Sequence, residues 1–353
     1  MKKFIFQFFR VIFLFWFFSF LITIIIYNSS NKNFYTDYEL PPIISKLNIY
    51  KTEPTILNTL FIGSSLTYRQ IIPSLFDSIT GNSSFNLGFE SLFPYRSYDV
   101  LDRALGMKRS SSIENVFIEL APPDFIAENY DNSAFIYSIN FKRYFESMQT
   151  VFNPNLSLAA KFYIFKYWNL CFLYKYSGFS VSKYCKLIFC GPDKKDLANK
   201  KLENLIMETK GYVDLNTQEE KLNGSISKNR KDFITKGNQI NAGLIKKYKN
   251  TFKKTNSVDA FTSYVINRAG QLKQKGLNVY FIIPPRKLVF INYSLYQKSF
   301  LEHNGFHVLD LSSPVLYPQF YDYNFSFNET HLNAKGAILY TRDLASAYEK
   351  AKK

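Results

Sequence analysis

The sequence predicts a three-layer α/β domain, a parallel sheet between helices, carried on an N-terminal transmembrane helix and interrupted by a basic helical insertion. Three observations lead there. Short apolar runs closed by turn residues alternate with helical stretches, the pattern of βα units. The N-terminus carries a long uncharged apolar run. The excess positive charge of the chain gathers in one central segment.

The chain has 353 residues, with 44 Lys+Arg against 28 Asp+Glu and a formal charge of +16. That length suits one large domain or two modest ones and buries a sizeable core. Hydrophobic residues reach 46% and charged residues 20%, which excludes a chain disordered throughout. Aromatics reach 18%, a bias that base composition alone can produce, so it carries no functional weight by itself. Only Cys171, Cys185 and Cys190 are present, with three histidines. A disulfide framework needs more cysteines, and the Cys-x4-Cys spacing fits no usual zinc pair. No metal and no cofactor is therefore expected.

Val11 to Tyr27 contains no charged residue. Seventeen residues at about 1.5 Å each span about 26 Å, the short end of a bilayer core. Arg10 can snorkel to the headgroups, and Phe4 to Phe9 extend the apolar body. Lys2, Lys3 and Arg10 precede the span, which predicts a cytoplasmic N-terminus and an extracytoplasmic remainder. The alternative is a cleaved signal peptide, but the bulky Ile24-Ile25-Ile26-Tyr27 offers no small-x-small cleavage site. Residues 1–30 are thus read as a signal anchor. Residues 31–54, polar and then carrying Pro41, Pro42 and Pro54, are read as a stalk.

The α/β domain is assigned to residues 55–150 and 256–353. Thr55 to Gly63 is a short apolar run closed by glycine, as a buried parallel strand requires. Leu66 to Ile79 is then helical. Ser84 to Gly88 is a second strand, Tyr95 to Met107 a helix, and Glu114 to Ala121 a third strand. Asp259 to Lys275 is a helix, followed by a strand from Leu277 to Pro284. Leu288 to His303 is helical, Phe306 to Leu311 strand-like, and the chain from Ala334 onward a final helix. In such sheets ligands sit at the C-terminal ends of strands.

Residues 151–255 form the insertion. Val151 to Lys275 holds 23 Lys+Arg and 9 Asp+Glu, so nearly all the excess charge lies there. Ser157 to Leu173 is dense in aromatics but broken by Lys161 and Lys166, which argues against a second span. An interfacial helix on the membrane, or a helix packed on the core, fits better. Gly211 to Gly237 is polar and lysine-rich and reads as a loop or hairpin. The charge is either a solvated face or an attraction to anionic lipid or glycan. Nucleic acid is not expected, because the anchor places this region outside the cytoplasm.

Three motifs carry the chemistry. Phe61-Ile62-Gly63-Ser64-Ser65-Leu66 places a serine just past a buried strand and ahead of a helix, where its N–H faces an oxyanion position. Asn328-Glu329-Thr330-His331-Leu332-Asn333 places a histidine just ahead of the last helix, from which it can reach back to the first strand. A serine hydroxyl is a poor nucleophile until a base accepts its proton, and histidine is the usual base. Asn86-Leu87-Gly88 is a turn whose glycine lets a backbone N–H approach a ligand. His303 and His307 straddle Gly305 and belong to an ordinary turn.

Taken in order, these residues resemble the SGNH/GDSL hydrolase family, whose fold is flavodoxin-like. Gly63-Ser64-Ser65-Leu66 looks like the family's Gly-Asp-Ser-Leu, with Ser65 as nucleophile. Gly88 matches the oxyanion glycine of the second block, and His331 the base of the last. Val279 to Pro285 resembles the segment before that last block. The likeness covers about 55–150 and 256–353.

Two departures bear on activity. Pro123, in Ala121-Pro122-Pro123-Asp124, stands where the family's asparagine donates to the oxyanion, and proline has no N–H. Asn86 is a candidate replacement; losing one such donor costs about 2.7–4 kcal/mol of transition-state stabilisation. Asn328 stands three residues before His331, where the family has aspartate. Glu329 or Asp322 are alternative sources of a carboxylate. In a serine protease the equivalent Asp-to-Asn change costs about 10⁴ in turnover.

The resemblance implies a membrane-anchored, extracytoplasmic serine esterase or O-acyltransferase acting on acyl, for example acetyl, esters of a cell-envelope polysaccharide. Such proteins sometimes act beside a membrane-bound O-acyltransferase. The alternatives are a degenerate, non-catalytic glycan-binding or scaffold protein, and a lipid-acting esterase.

Overall fold

The computed structural model describes residues 2–29, 41–90, 94–121, 141, 144–145, 148, 151–152, 158–176, 196–217, 225–236, 258–285 and 288–352. The chain divides into two compact units, Met1–Ile44 with Phe125–Leu197, and Ser45–Asp124 with Ala198–Lys353.

The second unit contains a five-stranded, all-parallel sheet. Its strands are β1 (Thr59–Ile62), β2 (Ser84–Asn86), β3 (Asn115–Glu119), β4 (Asn278–Ile283) and β5 (His307–Asp310). Their order is β2-β1-β3-β4-β5, so the protein is α/β. Each expected strand is present, trimmed at its ends. The strands are short and almost wholly buried, except β5 at one edge, in which Leu309 is the buried residue.

One lateral row fixes the register. Phe61 of β1 faces Phe117 of β3, which faces Tyr280 of β4, which faces His307 of β5. Their ring centroids lie 4.8, 5.0 and 5.8 Å apart in turn. Aromatic rings on one face of adjacent strands stack because the sheet spacing brings them to contact distance. Phe76 and Tyr348 close over this row from the helices Pro73–Thr80 and Ala334–Ala351. His307 is thus a stacking residue of the sheet, and His303 ends the helix Leu288–His303. Right-handed crossovers direct the helices Pro94–Leu105, Ala260–Gln274 and Leu288–His303 to the opposite face. Tyr98 packs edge-to-face on Tyr264, and Phe261 stacks on Tyr293, as that shared layer requires.

The helix expected over Leu66 to Ile79 is broken into Ser65–Gln70 and Pro73–Thr80. Pro73 has no N–H for the helical ladder and drives Ile72 into an extended conformation, φ −98° and ψ 104°. The backbone groups freed by the break find side-chain partners. Asn86 Nδ2 donates to the carbonyls of Thr67 and Ile71, both at 2.8 Å. Thr341 Oγ1 donates to Gln70 O at 3.0 Å and accepts from Ile72 N at 3.1 Å. Buried peptide groups are rarely left unpaired, and here two polar side chains from other elements complete them.

Residues 41–52, within the segment read as a stalk, form the helix Pro41–Thr52. Prolines in a first helical turn cost no hydrogen bond, so Pro41 and Pro42 start the helix. Its Lys46, Leu47 and Tyr50 are buried, Tyr50 against Phe85 at 5.6 Å. Residues 31–40 lie outside the described residues. The segment expected as a loop or hairpin over Gly211 to Gly237 contains the helix Ser225–Lys236. An earlier helix, Asp196–Glu208, places Ile206 against Tyr68 and Val213.

The first unit contains the helix Lys2–Ser29, in which Lys3–Ile22 is long and apolar enough to cross a membrane and none of it is buried. The helix Leu158–Tyr176 packs on it, with Phe20 and Tyr176 centroids 5.9 Å apart.

Candidate active site

β1 ends at Ile62, and Gly63 turns the chain into Ser64 and Ser65. Ser64 caps the short helix, accepting from Leu66 N at 3.2 Å. Its own N–H and hydroxyl donate to the Glu119 carboxylate at 2.8 and 2.7 Å. The N–H and hydroxyl of Thr67 donate to the same group at 3.2 and 2.7 Å. Glu119 is the last residue of β3, the strand beside β1, and is 5% exposed. A buried carboxylate is costly unless several donors surround it, and a helix N-terminus offers them. The result is a rigid turn that presents Ser65. A Cβ on Gly63 would lie 2.2 Å from Thr67 Oγ1 and 2.5 Å from Glu119 Oε2, so only glycine leaves room for the carboxylate. Glu119 has no role in the sequence reading. Its one signal is an acid inside the apolar run Val-Phe-Ile-Glu-Leu-Ala.

His331 sits on a tight hairpin closed by the antiparallel bridge of Ser326 and Leu332. Asn328 shapes it: its Oδ1 accepts from the N–H groups of Thr330 and His331, each at 2.9 Å. Arg230 holds the outside, donating to the carbonyls of Ser326 and Phe327 at 2.5 and 2.8 Å, with its guanidinium 5.3 Å from the Phe327 ring centroid. Asn333 then caps the last helix through Gly336 N at 2.9 Å. Gly336 is required there, because a Cβ would lie 2.0 Å from Phe325 O.

The two segments meet. Ser65 Oγ lies 2.8 Å from His331 Nε2, and His331 Nδ1 lies 3.1 Å from Asn328 Oδ1. Two backbone donors identify the Asn328 atom as oxygen, because an amide nitrogen there would face two N–H groups. The imidazole nitrogen facing that oxygen must carry the proton. Nε2 is then left with a lone pair and accepts from the Ser65 hydroxyl, the tautomer a general base needs. Burial first, and then the nearby Arg69 guanidinium, bring His331 down to about 4, with Glu90 partly opposing them. Arg69, one turn beyond Ser65, is itself buried and paired with Glu90. The imidazole is therefore neutral near pH 7, and the Asn328 amide that faces Nδ1 brings no charge to stabilise its protonated form.

Two of the expected oxyanion donors, Gly88 and Asn86, are otherwise engaged. Gly88 N donates to Asn86 Oδ1 at 2.9 Å, and both Asn86 Nδ2 hydrogens go to the helix break. Asn86 is fully buried and acts as a structural bridge, so it does not supply the replacement donor. Among the described residues, the Ser65 N–H has no acceptor and points out of the first helical turn. Pro123 lies outside the described residues. A buried amine stands behind Gly88: Lys46 Nζ donates to Gly88 O at 2.5 Å and lies 3.9 Å above the Tyr68 ring. Burial first, then Arg69, holds Lys46 well below the usual lysine range.

The other carboxylates do not take the place of Asn328 at the imidazole. Glu329 is exposed, and Asp322 Oδ1 accepts from Asn324 N at 2.8 Å to cap a turn. A cavity of about 10 Å³, room for a single water, lies beside His331 between Pro285, Phe320, Tyr321 and Glu329. No protein-family model matches the chain, and no curated protein matches it either.

Proposed function

We propose that the protein is a membrane-anchored serine esterase or O-acyltransferase of the SGNH type, with its α/β unit outside the cytoplasm. The observation that carries this reading is the 2.8 Å contact of Ser65 Oγ with His331 Nε2, with Asn328 fixing the tautomer. In the first step Ser65 Oγ attacks the acyl carbonyl while its proton passes to His331 Nε2. The Ser65 N–H donates to the oxyanion. Collapse of the tetrahedral intermediate expels the alcohol, which takes the proton back from His331. Water or a second hydroxyl then resolves the acyl-Ser65 in the same way.

The SGNH assignment rests on the order Gly63-Ser64-Ser65, Gly88, His331 along the chain and on a parallel sheet of order 2-1-3-4-5, which puts Ser65 at the switch point beside β1 and β3. An acylated envelope polysaccharide is the substrate class that fits an extracytoplasmic anchored enzyme. A membrane-bound O-acyltransferase is the partner that would supply or share such acyl groups.

The test is labelling of the full-length protein with a fluorophosphonate probe. The wild type forms an adduct, and Ser65→Ala and His331→Ala do not. Absence of any Ser65-dependent adduct removes the catalytic reading. The second reading, a non-catalytic glycan-binding or scaffold protein, draws on specific features. Asn328 carries no charge to support an imidazolium, and Gly88 N and Asn86 are committed to each other. It predicts unchanged cellular function in both variants.

A further inference from the structure

The helix Leu158–Tyr176 has two unlike faces. Ile164, Trp168 and Cys171, spaced by four and three residues, form a buried stripe. On the opposite side Phe162 is 67% exposed, Phe165 53% and Leu173 46%, with Leu170 also exposed. Lys166 lies among them and is exposed as well. An apolar face of this size is not left in water by a soluble protein. Within the same unit the helix adjoins one that is long and apolar enough to cross a membrane. Phe20, near the end of the apolar Lys3–Ile22 stretch, touches Tyr176, and Tyr176 joins Phe141 and Phe172 at centroid distances of 5.1 and 4.6 Å. The apolar stretch is itself unburied, and the buried ring of Tyr176 joins the two helices at that aromatic junction.

We propose that Leu158–Tyr176 is a membrane-seated helix, with Phe162, Phe165, Leu170 and Leu173 among lipid acyl chains next to the span. Lys166 reaches the headgroups by snorkelling, and Lys161 faces the same anionic layer. Tyr163 and Tyr167, stacked at 5.8 Å, have the mixed character that suits the interface. The occupant is the bilayer that receives the N-terminal helix, because the contact of Phe20 with Tyr176 brings both helices to the same boundary. This places a second attachment beside the anchor. It does not depend on the Ser65 chemistry.

The test uses the full chain in phosphatidylcholine–phosphatidylglycerol vesicles, with Cys185 and Cys190 changed to serine. Cys171 is left in place, since burial raises its thiol to about 12 and keeps it unreactive. Single spin labels go to Phe162→Cys, Phe165→Cys and Leu173→Cys. Ile12→Cys reports the span, and Ile56→Cys, at a 79% exposed position, reports water. Collision rates with oxygen and with a water-soluble nickel complex are compared. At 162, 165 and 173 oxygen should exceed nickel several-fold, as at 12, with the reverse at 56. Nickel dominance at the three sites would put the helix in water and overturn the proposal. Shielding from both reagents would overturn it equally, in favour of a protein partner or a second copy of the chain.

Discussion

Ser65 Oγ and His331 Nε2 lie 2.8 Å apart although 266 residues separate them in the chain. The contact joins the turn after the first strand to the hairpin before the last helix. Each side has its own support, Glu119 beneath the serine and Asn328 with Arg230 around the histidine. The consequences can be measured one residue at a time.

Acidity comes first. His331 is held at about 4, so the neutral imidazole persists well below its ordinary range. Ser65-dependent labelling should stay flat from neutral pH down to about 5 and halve near 4. In the same window the unfolded chain binds more protons than the folded one, because its histidine titrates near 6.5. Stability contributed by this group therefore falls as pH drops from about 6.5 to about 4. A histidine NMR titration of the full-length protein checks both statements, and a midpoint near 6.5 would refute them.

Asn328 sets the tautomer without adding charge. Asn328→Asp keeps the acceptor for the Thr330 and His331 N–H groups and places a carboxylate beside Nδ1. The acid limb should rise by about 1–3 pH units, with faster labelling at neutral pH. Asn328→Leu removes the acceptor altogether, and labelling should fall by about 10³–10⁴, as when a triad histidine takes the wrong tautomer. An acid limb that stays put in Asn328→Asp would mean that the ring does not face this residue.

Glu119 holds the serine turn through four donors. Glu119→Gln leaves donors facing an amide NH₂, and hydrogen bonds to charged groups contribute about 1.5–3 kcal/mol each. A loss of about 3 kcal/mol, roughly 6–12 °C in Tm, is expected in a thermal melt. An unchanged melting point would show that the turn does not need the carboxylate.

Two glycines should respond with opposite signs. Gly63→Ala forces a methyl into Thr67 Oγ1 and Glu119 and should destabilise by several kcal/mol, as overpacking against polar atoms does. Gly270→Ala, inside the helix Ala260–Gln274 with nothing near its Cβ position, should stabilise by about 0.5–1 kcal/mol. Denaturant titration of both variants reads the contrast directly, and equal effects would contradict the packing around Gly63.

The strands and their parallel arrangement were legible in the sequence, because short apolar runs and turn residues are local signals. The meeting of Ser65 with His331 was expected only from the order of the motifs and the family resemblance, since no local pattern joins residues 266 apart. The tight partnership of Asn328 with His331 was half legible: spacing put the two within reach, but not the two backbone donors that orient the amide. Asn86, a candidate oxyanion donor by sequence, is a bridge in the structure, a use that arises only where Pro73 breaks a helix and leaves carbonyls to fill. The stalk prolines concealed the helix Pro41–Thr52 because the same residues open helices as readily as they end them.

By itself, then, the sequence determined what periodicity and composition encode: an apolar N-terminal helix, alternating strands and helices, and a serine and a histidine at the ends where chemistry is placed. Tertiary structure alone decided what each polar group faces. Glu119, Lys46 and Arg230 act through partners 42 to 97 residues away, or on a neighbouring strand, and no local pattern carries that information. Burial then made the difference, since removing water turns an ordinary acid, lysine or histidine into a group whose charge and bonding its neighbours dictate.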